Sequence, residues 1–396
     1  MPVENSKSMP KMSFLTIVLN GMPFIEFALK AVYDFAHEIV VVEGAVETCR
    51  FAANEDGSSK DGTVECIKKF PDPEKKIKLV QGVWPEKIDM ENRAFELISG
   101  DYVWTFGSDE VYRQEDIAKV INLISERPEI TQINFIPDNF WKGFDYIFVS
   151  EKFLEPDKHY KRVFKFVPGA RFSAHRPPRF MWPDSLLSTE EMNLVSGFET
   201  KEMGIRLYHY SYVLEEQVKQ KIELYRRYGW GKMWDLDLNE WYEECFRKWT
   251  PENRNVIEEK YPVWTGDRKS HTEKFTGGHP GVMKHYIEDF EGALWKGNGD
   301  GFTEERVRQI IGAPQYQKKV LNAYELIDLD EPIRQRKETM TLNVLEEKPF
   351  WNLHVALAFL ATKLQPESYL EVGVRTGGSL VQVLYNSAVK NVVGMD

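Results

Sequence analysis

Gly100-Asp101-Tyr102-Val103-Trp104-Thr105-Phe106-Gly107-Ser108-Asp109-Glu110 sets an apolar run, Tyr102 to Phe106, directly against two adjacent acids. Aromatic and β-branched residues over so short a span read as a buried strand. Ahead of it the pattern repeats. Ser13 to Asn20 (SFLTIVLN) reads as a buried strand, and Pro23 opens an amphipathic helix through about Ala36. Glu38 to Val42 is again strand, a helix follows Asp61-Gly62-Thr63, a third strand fits Lys76 to Gln81, and a helix fits Met90 to Ser99. Short strands alternating with helices predict an α/β fold with a mostly parallel sheet covered on both faces.

Ligands of such sheets bind beyond the carboxyl ends of the strands, so the residues after each strand carry the first functional reading. Asn20 follows the first strand, Glu43 the second, and Ser108-Asp109-Glu110 the fourth. Asp109 and Glu110 supply hard oxygen ligands for Mg²⁺ or Mn²⁺ and leave positions for a diphosphate. An isolated Ser-Asp-Glu more often caps a helix, so the weight falls on the whole set.

That set comprises Phe14 to Asn20, Glu38 to Glu43, Glu55-Asp56-Gly57-Ser58-Ser59-Lys60-Asp61-Gly62-Thr63, Glu91-Asn92-Arg93-Ala94 and Gly100 to Glu110. Together it resembles the glycosyltransferase family 2 type of GT-A domain over roughly Ser13 to Arg227. The resemblance implies a Rossmann-like mixed sheet with helices on both faces, a nucleotide-sugar donor, a divalent metal, and a glycan or protein acceptor. It implies that Asn20 and Glu43 line the nucleoside pocket, Asp61 stands near it, Arg93 approaches the nucleotide, Ser108 lies on the donor side and Asp109 binds metal. Two departures stand out. The family's Asp-x-Asp motif appears as Gly107-Ser108-Asp109, leaving Glu110 as the substitute carboxylate, and Gly44 to Glu55 are inserted, so either Glu43 or Asp56 inherits the pocket role.

Downstream, Arg171 to His175 and Arg206 to Tyr212 each bring a histidine near a strand end, and a neutral imidazole completes a metal site well. In transferases of the resembled type a late histidine approaches the metal or diphosphate. His209, before a helix bearing Lys221, Arg226 and Arg227, is preferred over His175. An inverting transferase needs a carboxylate to take the acceptor proton. Asp184, in an aromatic-flanked stretch, is the first choice and Asp138 the second. Ordinary loop or core roles compete with each of these readings.

The last residues carry a separate signal. Glu371, Gly373, Gly377 and the final Asp396 sit in a strand, glycine turn, helix, strand pattern, a partial βαβ Rossmann unit. It resembles the opening of a class I S-adenosylmethionine-dependent methyltransferase. The expected strands that would complete its pocket do not follow, so S-adenosylmethionine is expected only in a longer gene product. The expected domains are 12–230 for the transferase, 231–340 for a helical and irregular extension, and 341–396 for the partial unit.

Composition bounds these readings. At 396 residues, two or three domains fit. A net charge of -11 without a basic block argues against nucleic-acid partners. The 11 tryptophans read chiefly as core, with sugar platforms as the lesser reading. Cys49, Cys66 and Cys245 match neither a disulfide framework nor a zinc site, and no run approaches the roughly 18 apolar residues of a membrane span. A cytoplasmic location is expected. Two other functions are weighed: a sugar nucleotidyltransferase, for which Asn20-Gly21-Met22-Pro23 is a poor phosphate loop, and a non-catalytic carbohydrate- or nucleotide-binding scaffold, favoured by the missing first aspartate. Oligomeric state, donor and acceptor stay open.

Overall fold

Met12–Val18 (β1) is apolar almost throughout and buried along nearly its whole length, as a central strand covered on both faces must be. In the computed structural model, which describes residues 9–175, 178–183, 193–227, 236–293, 368–372 and 391–395, β1 lies between Glu38–Glu43 (β2) and Tyr102–Thr105 (β4), parallel to both. Ile77–Gln81 (β3) adds a parallel outer strand beside β2. The carboxyl ends of β1, β2 and β4 therefore open on one edge. Ile130–Phe135 (β6), Tyr160–Lys165 (β9) and Asn193–Val195 (β12) complete a seven-stranded sheet, ordered β12-β6-β9-β4-β1-β2-β3, in which β9 runs antiparallel to both neighbours. The expected mixed α/β sheet is present.

Helices cover the sheet for the reasons the spacing gave. Phe24–Val32 (α1) buries Phe24, Ile25, Ala28, Leu29 and Val32 on one stripe. Thr63–Lys69 (α2) follows the Asp61-Gly62 turn, with Gly62 at φ 89°, a left-handed conformation that favours glycine. Lys87–Phe95 (α3) starts on a capping box between Glu86 and Asp89 and packs on β1 and β2. Gln114–Glu126 (α4) buries Ile117, Val120, Ile121 and Ile124.

A second, five-stranded sheet was not foreseen as a separate layer. Its order is β14-β8-β7-β13-β5, built from His271–Lys274 (β14), Tyr146–Val149 (β8), Pro137–Trp141 (β7), Leu207–Tyr212 (β13) and the two-residue Glu110–Val111 (β5). Arg171–Ala174 (β10) and Arg179–Met181 (β11) form a separate hairpin ladder. Glu215–Arg227 (α6) follows β13, after the short Gly197–Glu202 (α5).

One compact unit runs from Met1 to His285. Its later residues contribute β14 and a π-helical turn, Trp241–Arg247, to a core of Trp141, Phe148, Tyr212, Trp241, Phe246 and Trp249. Trp104, Trp141 and Trp241 are fully buried, the packing role expected for most tryptophans.

The other unit is Tyr286–Asp396. Within it Ser368–Val372 (β15) and Asn391–Met395 (β16) pair in parallel, as a βαβ unit requires. Glu371 lies on β15, while Gly373, Gly377 and Asp396 lie outside the described residues, and no methyltransferase site is shown. All three cysteines are free, and no helix among the described residues is long and apolar enough to cross a membrane.

Candidate active site

The turn after β1 is fixed by the Ser59-Lys60-Asp61 loop. The Asn20 amide N–H donates to Ser59 Oγ at 2.9 Å, its Nδ2 to the Ala52 carbonyl at 2.7 Å, and its Oδ1 accepts from the Lys60 amide at 2.8 Å. Asn20 adopts φ 56°, a left-handed turn that asparagine tolerates better than most residues. Asp61 accepts from the Thr63 amide and hydroxyl and from the Met22 amide. Asn20 and Asp61 thus share the wall of a cavity of about 430 Å³, with Phe51, Lys60 and Lys219 among its other lining residues.

Glu43 takes a different part. It is fully buried, its Oε1 accepts from both the amide and hydroxyl of Ser59, and its Oε2 accepts from Gln81 Nε2 at 3.0 Å. It braces the loop from beneath and does not line the cavity. Asp56 is exposed and bonded to the Ser58 amide and hydroxyl, which hold its carboxyl below the usual range. Neither Glu43 nor Asp56 lines the cavity, whereas Asp61 does, together with Glu216 and Glu223. Arg93 pairs with Glu96, the residue that caps α3.

Asp109 stands where the turn after β4 enters β5. β5 pairs antiparallel with β13, setting His209 opposite Glu110, and the Tyr210 amide donates to the Asp109 carbonyl at 2.8 Å. A backbone ladder thereby carries His209 to the acid across 100 residues of sequence. His209 Nε2 lies 3.6 Å from Asp109 Oδ1, and its Nδ1 lies 2.6 Å from Asn139 Oδ1. Burial by itself would raise the Asp109 carboxyl, but the facing His209, when its ring is protonated, and the Lys221 ammonium outweigh it and hold the acid well below the usual carboxylate range. Ser108 is packed against the β1 turn, its Cβ 2.9 Å from where a Cβ on Gly21 would stand, so the acid and the cavity wall meet at adjacent strand ends.

Glu110 is taken up by an arginine. It is 3% exposed and engaged by both Arg162 Nε and a terminal Arg162 nitrogen. Asp109 lies in the turn just before β5 and faces His209, so the two acids bond different partners. His175 bonds Glu91 Oε1 at 2.9 Å, a carboxylate on α3 rather than Asp109. Asp138 accepts from Arg206 at 3.0 Å on the face of β7 opposite Asn139, and burial raises its carboxyl against that arginine's pull. Asp184 lies outside the described residues. Among the described residues no three His, Cys, Asp or Glu side chains gather as a metal cluster. Asp109 Oδ1 and His209 Nε2, 3.6 Å apart, are the oxygen and nitrogen that would offer themselves to a divalent cation.

Residues 49–175 match the family model described as Glycosyl transferase family 2. That span is similar to a glycosyltransferase domain of this family. The matched span holds Asp61, Ser108, Asp109 and Asn139, while Asn20, Glu43 and His209 flank it. No curated protein matches the chain. Among solved structures, TarS of S. aureus is 16% identical over 64% of this chain and 47% of its own, with a TM-score of 0.29. Glucosyl-3-phosphoglycerate synthase from Mycobacterium tuberculosis, in complex with Mn²⁺ and UDP-glucose, is 17% identical over 33% of this chain and 44% of its own, TM-score 0.25. The mannosyltransferase PcManGT from Pyrobaculum calidifontis, in complex with GDP-mannose and Mn²⁺, is 12% identical over 72% and 81%, TM-score 0.35. The chain thus spans about half the length of the TarS chain it matches.

The sequence reading missed Phe51, Lys60 and Lys219 in the cavity and Asn139 beside His209. Phe51 lies in the insertion and Lys219 two residues before the lysine already singled out, so each carried a positional hint.

Proposed function

We propose that the glycosyltransferase domain moves a sugar from a nucleotide-sugar donor to a hydroxyl of a glycan or protein, with inversion. The observation that carries this is the Asp109–His209 pair at the carboxyl end of β4, set beside the Asn20–Asp61 cavity. Asp61 and Asn20 offer polar partners to the nucleoside, Phe51 an aromatic surface for its base, and Lys60 and Lys219 positive charge toward phosphate.

Asp109 Oδ1 and His209 Nε2 are the protein atoms that would hold Mn²⁺ or Mg²⁺. When bound, such an ion neutralises the charge that develops on a departing diphosphate. Lys221, close enough to lower the Asp109 carboxyl, adds a fixed cation on the same side. With Asp138 tied to Arg206 on the other face of its strand, Asp184 remains the carboxylate assigned to the acceptor proton.

The test is thermal stability against UDP, GDP and their sugar conjugates with and without Mn²⁺, since a ligand that binds only the folded state raises its melting temperature. A shift with one nucleotide that grows with Mn²⁺ and disappears in Asp109→Ala is expected. A folded protein that none of these ligands stabilises, with or without the metal, overturns the reading.

A further inference from the structure

We infer that Asn139 is a positioning residue whose side-chain carbonyl keeps the proton of His209 on Nδ1, so that Nε2 faces Asp109 with a free lone pair. The inference rests on the metal-site reading above and adds a residue outside the strand ends.

Three observations carry it. Asn139 sits on β7 in direct register with His209 on β13, so two parallel backbones fix the side chains face to face. Its Oδ1 is 2.6 Å from His209 Nδ1, a short hydrogen bond, whereas Nε2 is 3.6 Å from Asp109 Oδ1, beyond hydrogen-bond reach. A neutral imidazole carries one proton, and these distances put it at Nδ1, where a carbonyl can accept it. Finally, Asn139 is 1% exposed and its Nδ2 finds no hydrogen-bond partner among the described residues. A buried amide half unsatisfied costs more than an apolar residue of similar volume, so packing does not explain asparagine here. Fixing a tautomer does. Ligating histidines ordinarily donate their second N–H to a carbonyl or carboxylate, which also locks the ring's orientation. The edge of the Tyr160 ring, with centroids 5.7 Å apart, braces the other side of the imidazole.

The opposite pairing, in which the amide NH₂ donates to a bare Nδ1 and the proton sits on Nε2, would aim an N–H at Asp109 and block ligation. Two-bond ¹⁵N–¹H correlation spectra of the metal-free protein distinguish the two. The Nδ1–H pattern is expected for His209, and an Nε2–H pattern overturns the inference. Mn²⁺ alone, titrated by electron paramagnetic resonance, supplies a second readout. Asn139→Ala should weaken binding by about 10- to 100-fold, while Asn139→Asp, which keeps the acceptor, should stay within about threefold of the native protein. If His209→Ala binds Mn²⁺ as well as the native protein, the metal-site reading itself fails. If His209→Ala loses affinity and a folded Asn139→Ala does not, only the role of Asn139 falls.

Discussion

Arg162 forks onto Glu110, its Nε 2.8 Å from Oε2 with a second guanidinium nitrogen on Oε1, and the pair lies inside the domain at 17% and 3% side-chain exposure. That relationship separates two acids adjacent in sequence: Asp109 keeps its face toward His209, and Glu110 is spent on holding β9 against β5. Burying two charges is tolerated only while both are present. Arg162→Met should therefore cost about 3–5 kcal/mol by urea denaturation, and Arg162→Met combined with Glu110→Leu should recover much of that loss. Equal destabilisation in single and double variants would show that the arginine matters through its packing alone.

Asp109→Asn keeps the shape of the side chain and removes its charge. Mn²⁺-dependent donor turnover should fall by roughly 10²- to 10³-fold, the scale seen when one preorganised electrostatic group is lost. The Glu110→Gln variant should lose stability first, and its Mn²⁺ affinity should track the native protein more closely than that of Asp109→Asn. If the two substitutions weaken Mn²⁺ binding alike, both acids reach the ion and the separation described above is wrong.

The two variants also mark how far the sequence could be read. β1, β2, β4 and their helices were legible because burial on both faces leaves continuous apolar runs, and because glycine, proline and aspartate punctuate them. Asp109 and His209 were legible as residue types at strand ends. Their meeting was not, since it depends on a two-residue strand, Glu110–Val111, pairing with residues 207–212, and so short an element leaves no periodic trace. Glu110 looked like a ligand because nothing near it in sequence announces Arg162. Glu43 and Asp56 could not be ranked from the chain alone, since only the loop's hydrogen bonds show Glu43 holding Ser59 and Asp56 turned onto Ser58.

His279 offers a prediction about pH. It is packed among Phe140, Phe144, Tyr210 and Phe275, with Nδ1 3.0 Å from the Tyr210 hydroxyl, and burial pushes its pKa down from 6.5 to about 4. The unfolded chain therefore holds this proton between pH 6.5 and 4 while the folded chain does not. Stability rises with pH across that window and is lost as pH falls through it. Denaturant midpoints measured at pH 7 and pH 5 should differ more in the native protein than in His279→Gln. An unchanged difference would move the acid sensitivity to other groups.

Phe51 lines the cavity beside Asn20 and Asp61 from within the insertion, and the Arg227 guanidinium lies over its ring at 4.0 Å while Arg227 Nε donates to Glu223 at 2.8 Å. The ring is thus held by a cation that is itself anchored on α6, a rigid support for a stacked base. Truncating an aromatic that stacks on a base costs about 1–3 kcal/mol, so Phe51→Ala should weaken nucleoside diphosphate binding roughly five- to hundredfold, with Phe51→Trp close to native. Calorimetric titration with pyrophosphate separates stacking from collapse of the loop, because pyrophosphate has no base to stack. Its affinity should be unchanged in Phe51→Ala. If pyrophosphate and nucleoside diphosphate weaken together, the insertion shapes the phosphate side of the cavity and Phe51 is not the platform for the base.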